Sequence, residues 1–240
     1  MKRPLDALIR TYQYLEAHKQ NTLIGAAIRK NWATDILHHL NVSVNEVGTV
    51  ATSSPAIFVA NHVSYLDIPL LMSVLPDCVF VSKAEIAMWP LFGTAAKKIG
   101  TVFLQRSSSN SRSAARLEIE RQLLEEQKRI VIFPAGTTSV SGEPFWRKGV
   151  FEISLQHQIP IQPIRINYLP LRRVGYVGRD FFPTHLLRLT KGGPIEAQVT
   201  LHDPLVVRKL ARDLEYCRNW CSSGVYESSY FDCGFQVGGA

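Results

Sequence analysis

The stretch "AIFVANHVSYLDIPLL", Ala56 to Leu71, decides the fold. Its first five residues, Ala56–Ala60, are an unbroken apolar run, the pattern of a strand buried on both faces. From Ile68 the texture turns helical, with Pro69 suited to a first turn and Asp67 in the place of a helix cap. A strand that feeds a helix through a short turn is the building unit of an α/β sandwich. The turn itself holds two groups that packing does not need, His62 and Asp67.

The same alternation continues outward in both directions. Val42–Val47, Val79–Ser82, Thr101–Gln105, Arg129–Phe133, Ile161–Asn167 and Ile195–Leu201 have the composition of strands. Ile68–Leu75, Glu85–Ile99 (with Gly93 inside it), Ser111–Lys128 and Gly149–His157 have the spacing of helices. The pattern predicts an α/β domain over residues 41–220, with a mixed, largely parallel sheet flanked by helices.

Residues 1–40 predict an N-terminal amphipathic helical segment. Leu5, Leu8, Ile9, Tyr12 and Leu15 form one stripe, with Arg3, Arg10 and Lys19 off it. Asn21-Thr22 then caps a second segment carrying Ile28, Trp32, Ile36, Leu37 and Leu40, with Arg29 and Lys30 in its middle. Two readings stand side by side: helices that lie in a headgroup layer, or helices that cover the core. Residues 221–240, rich in glycine and serine, read as a loosely ordered tail.

The totals narrow the function. A chain of 240 residues with 46% hydrophobic content is a folded protein, and one domain is the natural expectation. Its 27 Lys+Arg exceed its 20 Asp+Glu, so 27 − 20 = +7, a balance that favours anionic partners. An anionic membrane surface, acidic small molecules and acidic carriers all fit. No nucleic-acid recognition motif is present, so no nucleic-acid partner is expected. No run of about 18 apolar residues occurs, so membrane contact is expected to be peripheral. Met1-Lys2-Arg3 is followed by neither an apolar core nor a cleavage site, so no secretory signal is expected. Cys78, Cys217, Cys221 and Cys233 make neither a disulfide framework nor paired zinc knuckles, and reduced thiols in a cytosolic setting are the expectation. Cys217-x3-Cys221 with Cys233 beyond is the metal-binding alternative.

The chemistry centres on His62 and Asp67. As structure alone, Asp67 caps a helix and His62 bonds backbone in a turn. As function, the loop folds back so that the carboxylate accepts the Nδ1–H of the imidazole. Nε2 is then left as a base facing a substrate hydroxyl. There is no Gly-x-Ser-x-Gly elbow, and Ser64 has no clear geometry for a triad. Direct attack of a histidine-activated alcohol on an acyl donor is therefore the simpler chemistry. Arg106 ends a strand beside a serine-capped helix, a setting that suits a phosphate or carboxylate. "IVIFPAGTTS", Ile130 to Ser139, is a buried-type strand that breaks at Pro134 and Gly136 into a hydroxyl-rich turn. "IPIQPI", Ile159 to Ile164, sets two prolines around a strand start, a pattern of packing more than of catalysis.

These four blocks, in this order, resemble the glycerolipid acyltransferase family of the 1-acylglycerol-3-phosphate acyltransferase type. Asn61-His62…Asp67 matches its His-x4-Asp signature. Phe103-Leu104-Gln105-Arg106, Phe133-Pro134-Ala135-Gly136-Thr137 and Ile161-Gln162-Pro163-Ile164 resemble its second, third and fourth blocks. Arg147-Lys148-Gly149 looks like the basic element that follows the third.

The resemblance implies an α/β fold and a lysolipid O-acyltransferase, with His62 as general base and Asp67 as its partner. It implies Arg106, Gly136, Thr137, Thr138 and Lys148 at the substrate site. The acyl donor would be a thioester on coenzyme A or acyl carrier protein, acting as co-substrate, with no resident cofactor and no metal. The acceptor would be a membrane lipid, and the protein peripheral on the cytoplasmic face of an anionic membrane.

The departures lie in the third block. Ala135 stands where the family usually has glutamate, and Thr138 where many members have arginine. Glu143 and Glu152 are substitutes by sequence proximity, and an engineered glutamate-to-alanine change would read the same. The Gly-Thr-Thr-Ser variant is similar to enzymes that acylate lyso-ornithine lipids. The rival from another class is a non-catalytic lipid-binding member of the family.

Overall fold

The structure is a computed structural model that describes residues 4–18, 25–75, 77–88, 92–104, 109–140, 144–178 and 180–225. In chain order the strands are β1 (Val42–Val47), β2 (Ala56–Ala60), β3 (Val79–Lys83), β4 (Val102–Leu104), β5 (Arg129–Ile132), β6 (Ile161–Leu169) and β7 (Ile195–Leu201). The helices are α1 (Pro4–Ala17), α2 (Ala26–His39), α3 (Asp67–Val74), α4 (Phe92–Lys98), α5 (Ser109–Leu124), α6 (Gly149–His157), α7 (Leu171–Val174), α8 (Phe182–Lys191) and α9 (Leu210–Ser222).

All five residues of β2 are buried, because the strand lies inside the sheet with helices above and below. The strand order is β1-β7-β6-β2-β5-β3-β4 among the described residues. β6, β2, β5, β3 and β4 run parallel, with Phe58 paired to Val131 on one side and to Gln162 on the other. β7 turns back against β6, and β1 runs parallel to β7, so the sheet is mixed. Along β7, Ile195, Ala197, Val199 and Leu201 are buried while Glu196 and Gln198 are exposed. Only one face is covered at this end.

Side chains of alternate parity build two cores. Phe58, Ala60, Phe80, Val131, Ile164 and Ile166 point to one face, under α2, α3 and α8. Ile57, Val59, Val81, Ile130 and Ile132 point to the other, under α5, α6 and α9. Each buried Val, Ile or Phe side chain among them contributes about 1.5–3 kcal/mol. Cys217 and Cys221 lie in the second core, where burial pushes both thiols up, Cys217 to about 12.

α2 covers the core, with Ala33, Ile36, Leu37 and Leu40 buried. Arg29 turns inward instead of toward a headgroup layer. Its Nη1 donates to the carbonyls of Cys78 at 3.0 Å and Ile99 at 3.2 Å. Trp32 ties α2 to α1 by an Nε1–H bond to Thr11 Oγ1 at 3.4 Å. On α1 the expected stripe divides: Leu15 is buried, whereas Ile9 and Tyr12 are exposed.

The single helix expected over Glu85–Ile99 is two pieces, a 3-10 segment at Ala84–Met88 and α4. At Gly93 the two come so close that a Cβ would sit 2.3 Å from the Ala87 carbonyl oxygen. α7 and α8 lie in a stretch left unassigned by periodicity. The boundary expected at residue 221 is also corrected. α9 runs to Ser222 and Val225 is fully buried, because its end is anchored in the first core; residues 226–240 lie outside the described residues. No described helix is long and apolar enough to cross a membrane.

Candidate active site

In an open α/β sheet, sites form beyond the carboxyl ends of the parallel strands. His62 lies two residues past the end of β2, Phe133–Thr138 follow β5, and Lys83 closes β3. Asn61 makes the exit from β2 rigid. Its buried side-chain amide donates to the Ile166 carbonyl at 2.8 Å and accepts the Ile166 N–H at 2.7 Å. The side chain continues the β2–β6 ladder where the β2 backbone leaves it.

The loop then folds back on itself. His62 Nδ1 is 2.7 Å from Asp67 Oδ2, and the same oxygen accepts the N–H of Val63 at 2.7 Å and of Ser64 at 3.1 Å. Oδ1 accepts the hydroxyl of Tyr168 at 2.9 Å. Four donors thus converge on a carboxylate that is fully buried, matching its lone-pair sites and offsetting its desolvation. Burial, and then the negative charge of Asp67, raise Tyr168 well above its ordinary value, so the phenol keeps the proton it donates.

Because a carboxylate only accepts, the His62 proton is assigned to Nδ1, and Nε2 has no bonding partner among the described residues. The ring stacks on Phe133 with centroids 4.0 Å apart and planes 14° from parallel. The Ser139 N–H donates to the His62 carbonyl at 2.8 Å, and the Tyr176 N–H to the Val63 carbonyl at 3.1 Å.

His62 opens onto a cavity of about 390 Å³. Phe133, Gly136, Thr137 and Thr138 line it beside the imidazole; Phe80, Ile86, Ile99, Trp32 and Thr11 carry an apolar wall on to α1 and α2. Lys83 also lines it and supplies a cation. Tyr65, Tyr176, Phe182 and Leu186 close the side toward α8. Tyr65 is held there through His185, whose Nδ1 is 2.9 Å from the Tyr65 oxygen and whose Nε2 is 2.8 Å from the Gly175 carbonyl oxygen. A carbonyl accepts only, so Nε2 carries the proton and Nδ1 takes the tyrosine's. Burial lowers His185 from its ordinary value.

The predicted residues divide accordingly. His62, Asp67, Gly136, Thr137 and Thr138 come together at one cavity. Gly136 has φ +68°, a left-handed conformation that turns the chain after β5. The Thr138 hydroxyl donates to the Tyr176 carbonyl, so it is engaged with the protein while lining the cavity. Lys148 is not brought to the site. It is exposed, lines no part of this cavity, and pairs with Glu152 at 3.0 Å one turn along α6. Glu152 also pairs with Arg116 at 3.0 Å, so both of its cations lie on the helices of the second face. Ala135 packs against that second core. Arg106 and Glu143 lie outside the described residues. Sequence reasoning missed Tyr168, Lys83 and the supporting role of Asn61. Only Lys83, a cation at the end of a strand, left a local signal.

The chain is similar in sequence and fold to known proteins. A sequence profile described as Acyltransferase matches residues 41–167. The lyso-ornithine lipid O-acyltransferase of Pseudomonas aeruginosa is 36% identical over 171 residues, 68% of this chain and 64% of that protein. The 1-acyl-sn-glycerol-3-phosphate acyltransferase alpha of Homo sapiens is 29% identical over 180 residues, 74% of this chain and 59% of that protein. The matches thus span less than two thirds of those relatives' length. The crystal structure of the 1-acyl-sn-glycerophosphate acyltransferase of Thermotoga maritima has the same fold. Its TM-score is 0.66 at 18% identity, over 97% of this chain and 98% of that one. With more than half its residues matching the family profile and the same sheet beneath them, the chain belongs to the Acyltransferase family.

Proposed function

We propose that the protein moves an acyl chain from a thioester to the free hydroxyl of a lysolipid. The observation that carries this reading is the 2.7 Å contact between His62 Nδ1 and a fully buried Asp67, at the wall of a largely apolar cavity. With Nδ1–H committed to the carboxylate, Nε2 takes the proton of the acceptor hydroxyl as its oxygen attacks the thioester carbonyl carbon. The tetrahedral intermediate collapses, the C–S bond breaks, and the imidazolium returns its proton to the departing thiolate. Asp67 keeps the tautomer and balances the transient positive charge; general-base assistance of this kind contributes about 10²–10⁴ in rate.

Gly136, Thr137 and Thr138 form the floor beside the base, and Lys83, with Arg106, serves an acceptor head group. The donor is an acyl thioester of coenzyme A or acyl carrier protein, and the protein works peripherally on the cytoplasmic face of an anionic membrane. The acceptor is of the 1-acylglycerol-3-phosphate type, giving phosphatidic acid. A second acceptor, lyso-ornithine lipid, is favoured by Ala135 and Thr138 and by the 36% identity to an enzyme of that name.

The test is transfer of a labelled acyl chain to a panel of lysolipids that differ in head group. Label appearing in a diacylated product bears the reading out, and the preferred head group names the acceptor. A chain that releases free fatty acid from the thioester without acylating any lysolipid is a hydrolase, and the reading fails.

A further inference from the structure

Attack on a thioester places a negative charge on its carbonyl oxygen, and a largely apolar cavity leaves that charge in need of donors. The loop after β5 is shaped around the imidazole. At its start Phe133 stacks on the ring with centroids 4.0 Å apart, and at its end the Ser139 N–H donates to the His62 carbonyl at 2.8 Å. Between these ties the Gly136 N–H closes a turn onto the Phe133 carbonyl at 2.9 Å, with Pro134 and Ala135 at its centre. The left-handed Gly136 then redirects the chain, and Thr137 follows, exposed and lining the cavity. The donors around it are already engaged. Asp67 takes the N–H groups of Val63 and Ser64, His185 takes the Tyr65 hydroxyl, and the Tyr176 carbonyl takes the Thr138 hydroxyl. Among the described residues, neither the N–H nor the hydroxyl of Thr137 has a hydrogen-bond partner.

We infer that Thr137 is a catalytic residue whose N–H and hydroxyl together hold the oxyanion of the tetrahedral intermediate. The inference rests on the reading of the site as an acyl-transfer centre. As the acceptor oxygen bonds to the thioester carbon, the C=O π pair moves onto oxygen, where the two donors meet it. When the C=O bond re-forms, the C–S bond breaks and the thiolate takes the proton held by the imidazolium. His62 and Thr137 thus serve the two ends of one step, the first removing a proton and the second receiving charge. The adjacent threonines also part in role. Thr138 braces the loop against the Tyr176 segment, and Thr137 meets the substrate.

Thiol release from a long-chain acyl thioester, on coenzyme A or acyl carrier protein, is followed in the full chain. It is measured with a lysolipid present and with water as the only acceptor, because the same oxyanion forms in both. Thr137→Val keeps the shape and the N–H and removes the hydroxyl. It is expected to lower kcat by about 10²-fold, the usual loss for one such donor, with KM for the thioester little changed. Thr137→Ser restores a hydroxyl and is expected to recover most of the rate. A dithioester donor gives the readout that a packing role would not move, since its sulfur is a weak acceptor. The wild type is expected to turn it over far more slowly than the thioester, and Thr137→Val to narrow that difference. Should Thr137→Val fail to fold in a melting curve, Thr137→Ala takes its place. The inference is overturned by a wild-type kcat in Thr137→Val, by an unchanged preference between the two donors, or by no recovery in Thr137→Ser. Each of those results leaves lysolipid transfer by the wild type standing. A wild type that releases thiol to water through Thr137 yet acylates no lysolipid refutes the proposed reaction and keeps the oxyanion role; one that does neither ends both.

Discussion

At the scale of single residues, Asp67 is more informative than His62. An imidazole beside a cavity is common; a fully buried carboxylate with four converging donors is there to hold one ring in one orientation. Tyr168 supplies the donor that the local loop cannot, from 101 residues further along the chain. Removing its hydroxyl leaves Oδ1 buried without its partner, a cost of about 1.5–3 kcal/mol for a bond to a charged group. Tyr168→Phe is therefore expected to lower the unfolding free energy by that amount in denaturant titrations. The rate of labelled acyl transfer is the sharper readout, and it is expected to fall because the carboxylate that orients the imidazole loses one of its four donors. An unchanged rate would make Tyr168 a packing residue only. The sequence announced His62 and Asp67 because five-residue spacing is local, whereas Tyr168 is an aromatic at the end of a strand whose register only the sheet defines.

At the scale of elements, loops after β2 and β5 are fixed by pieces from the far side of the site. Tyr65 bonds His185 on α8, and Val63 and Thr138 both bond the backbone of Tyr176. Burial lowers His185, so the unfolded chain binds its proton more readily than the native one. Stability from this residue is then present above about pH 6.5 and is lost as pH falls through the lower native value. Chemical denaturation of wild type and His185→Gln across that range is expected to give curves whose difference shrinks toward acid pH; a constant difference would mean the histidine does not titrate there.

Gly93 belongs to the same scale. A Cβ there would meet the Ala87 carbonyl at 2.3 Å, so Gly93→Ala forces two backbones apart. A loss of about 1–3 kcal/mol, typical of overpacking, is expected in thermal melts. Periodicity read this region as one helix because a glycine inside an apolar helical pattern does not reveal that another segment crosses it. α8 escaped for the opposite reason: its apolar residues are split between core and surface.

At the scale of the molecule, the α/β alternation was legible because buried parallel strands are short unbroken apolar runs, and four of the seven described strands (β2, β3, β4 and β5) are of that kind or close to it. Which sheet face each connecting residue reaches was not legible. Lys148 follows the third block closely in sequence, yet it sits at the start of α6 and pairs with Glu152 one turn along that helix, which packs on the second core and not on the cavity. Glu152, offered as a stand-in for the absent glutamate, is on the same helix for the same reason. Gln162 in the fourth block serves the scaffold: its side chain bonds Ala51, Thr49 and the His202 carbonyl, tying the loop before β2 to the end of β7.

These scales meet in one claim, that His62 held by Asp67 draws the proton from an acceptor hydroxyl. Its most direct test is the rate of labelled acyl transfer by His62→Ala at saturating thioester and lysolipid, beside a melting curve of the same sample. The account predicts a fall of about two to four orders of magnitude with the melting transition kept. A variant that transfers acyl chains at the wild-type rate would contradict it, whatever the distance between the two side chains.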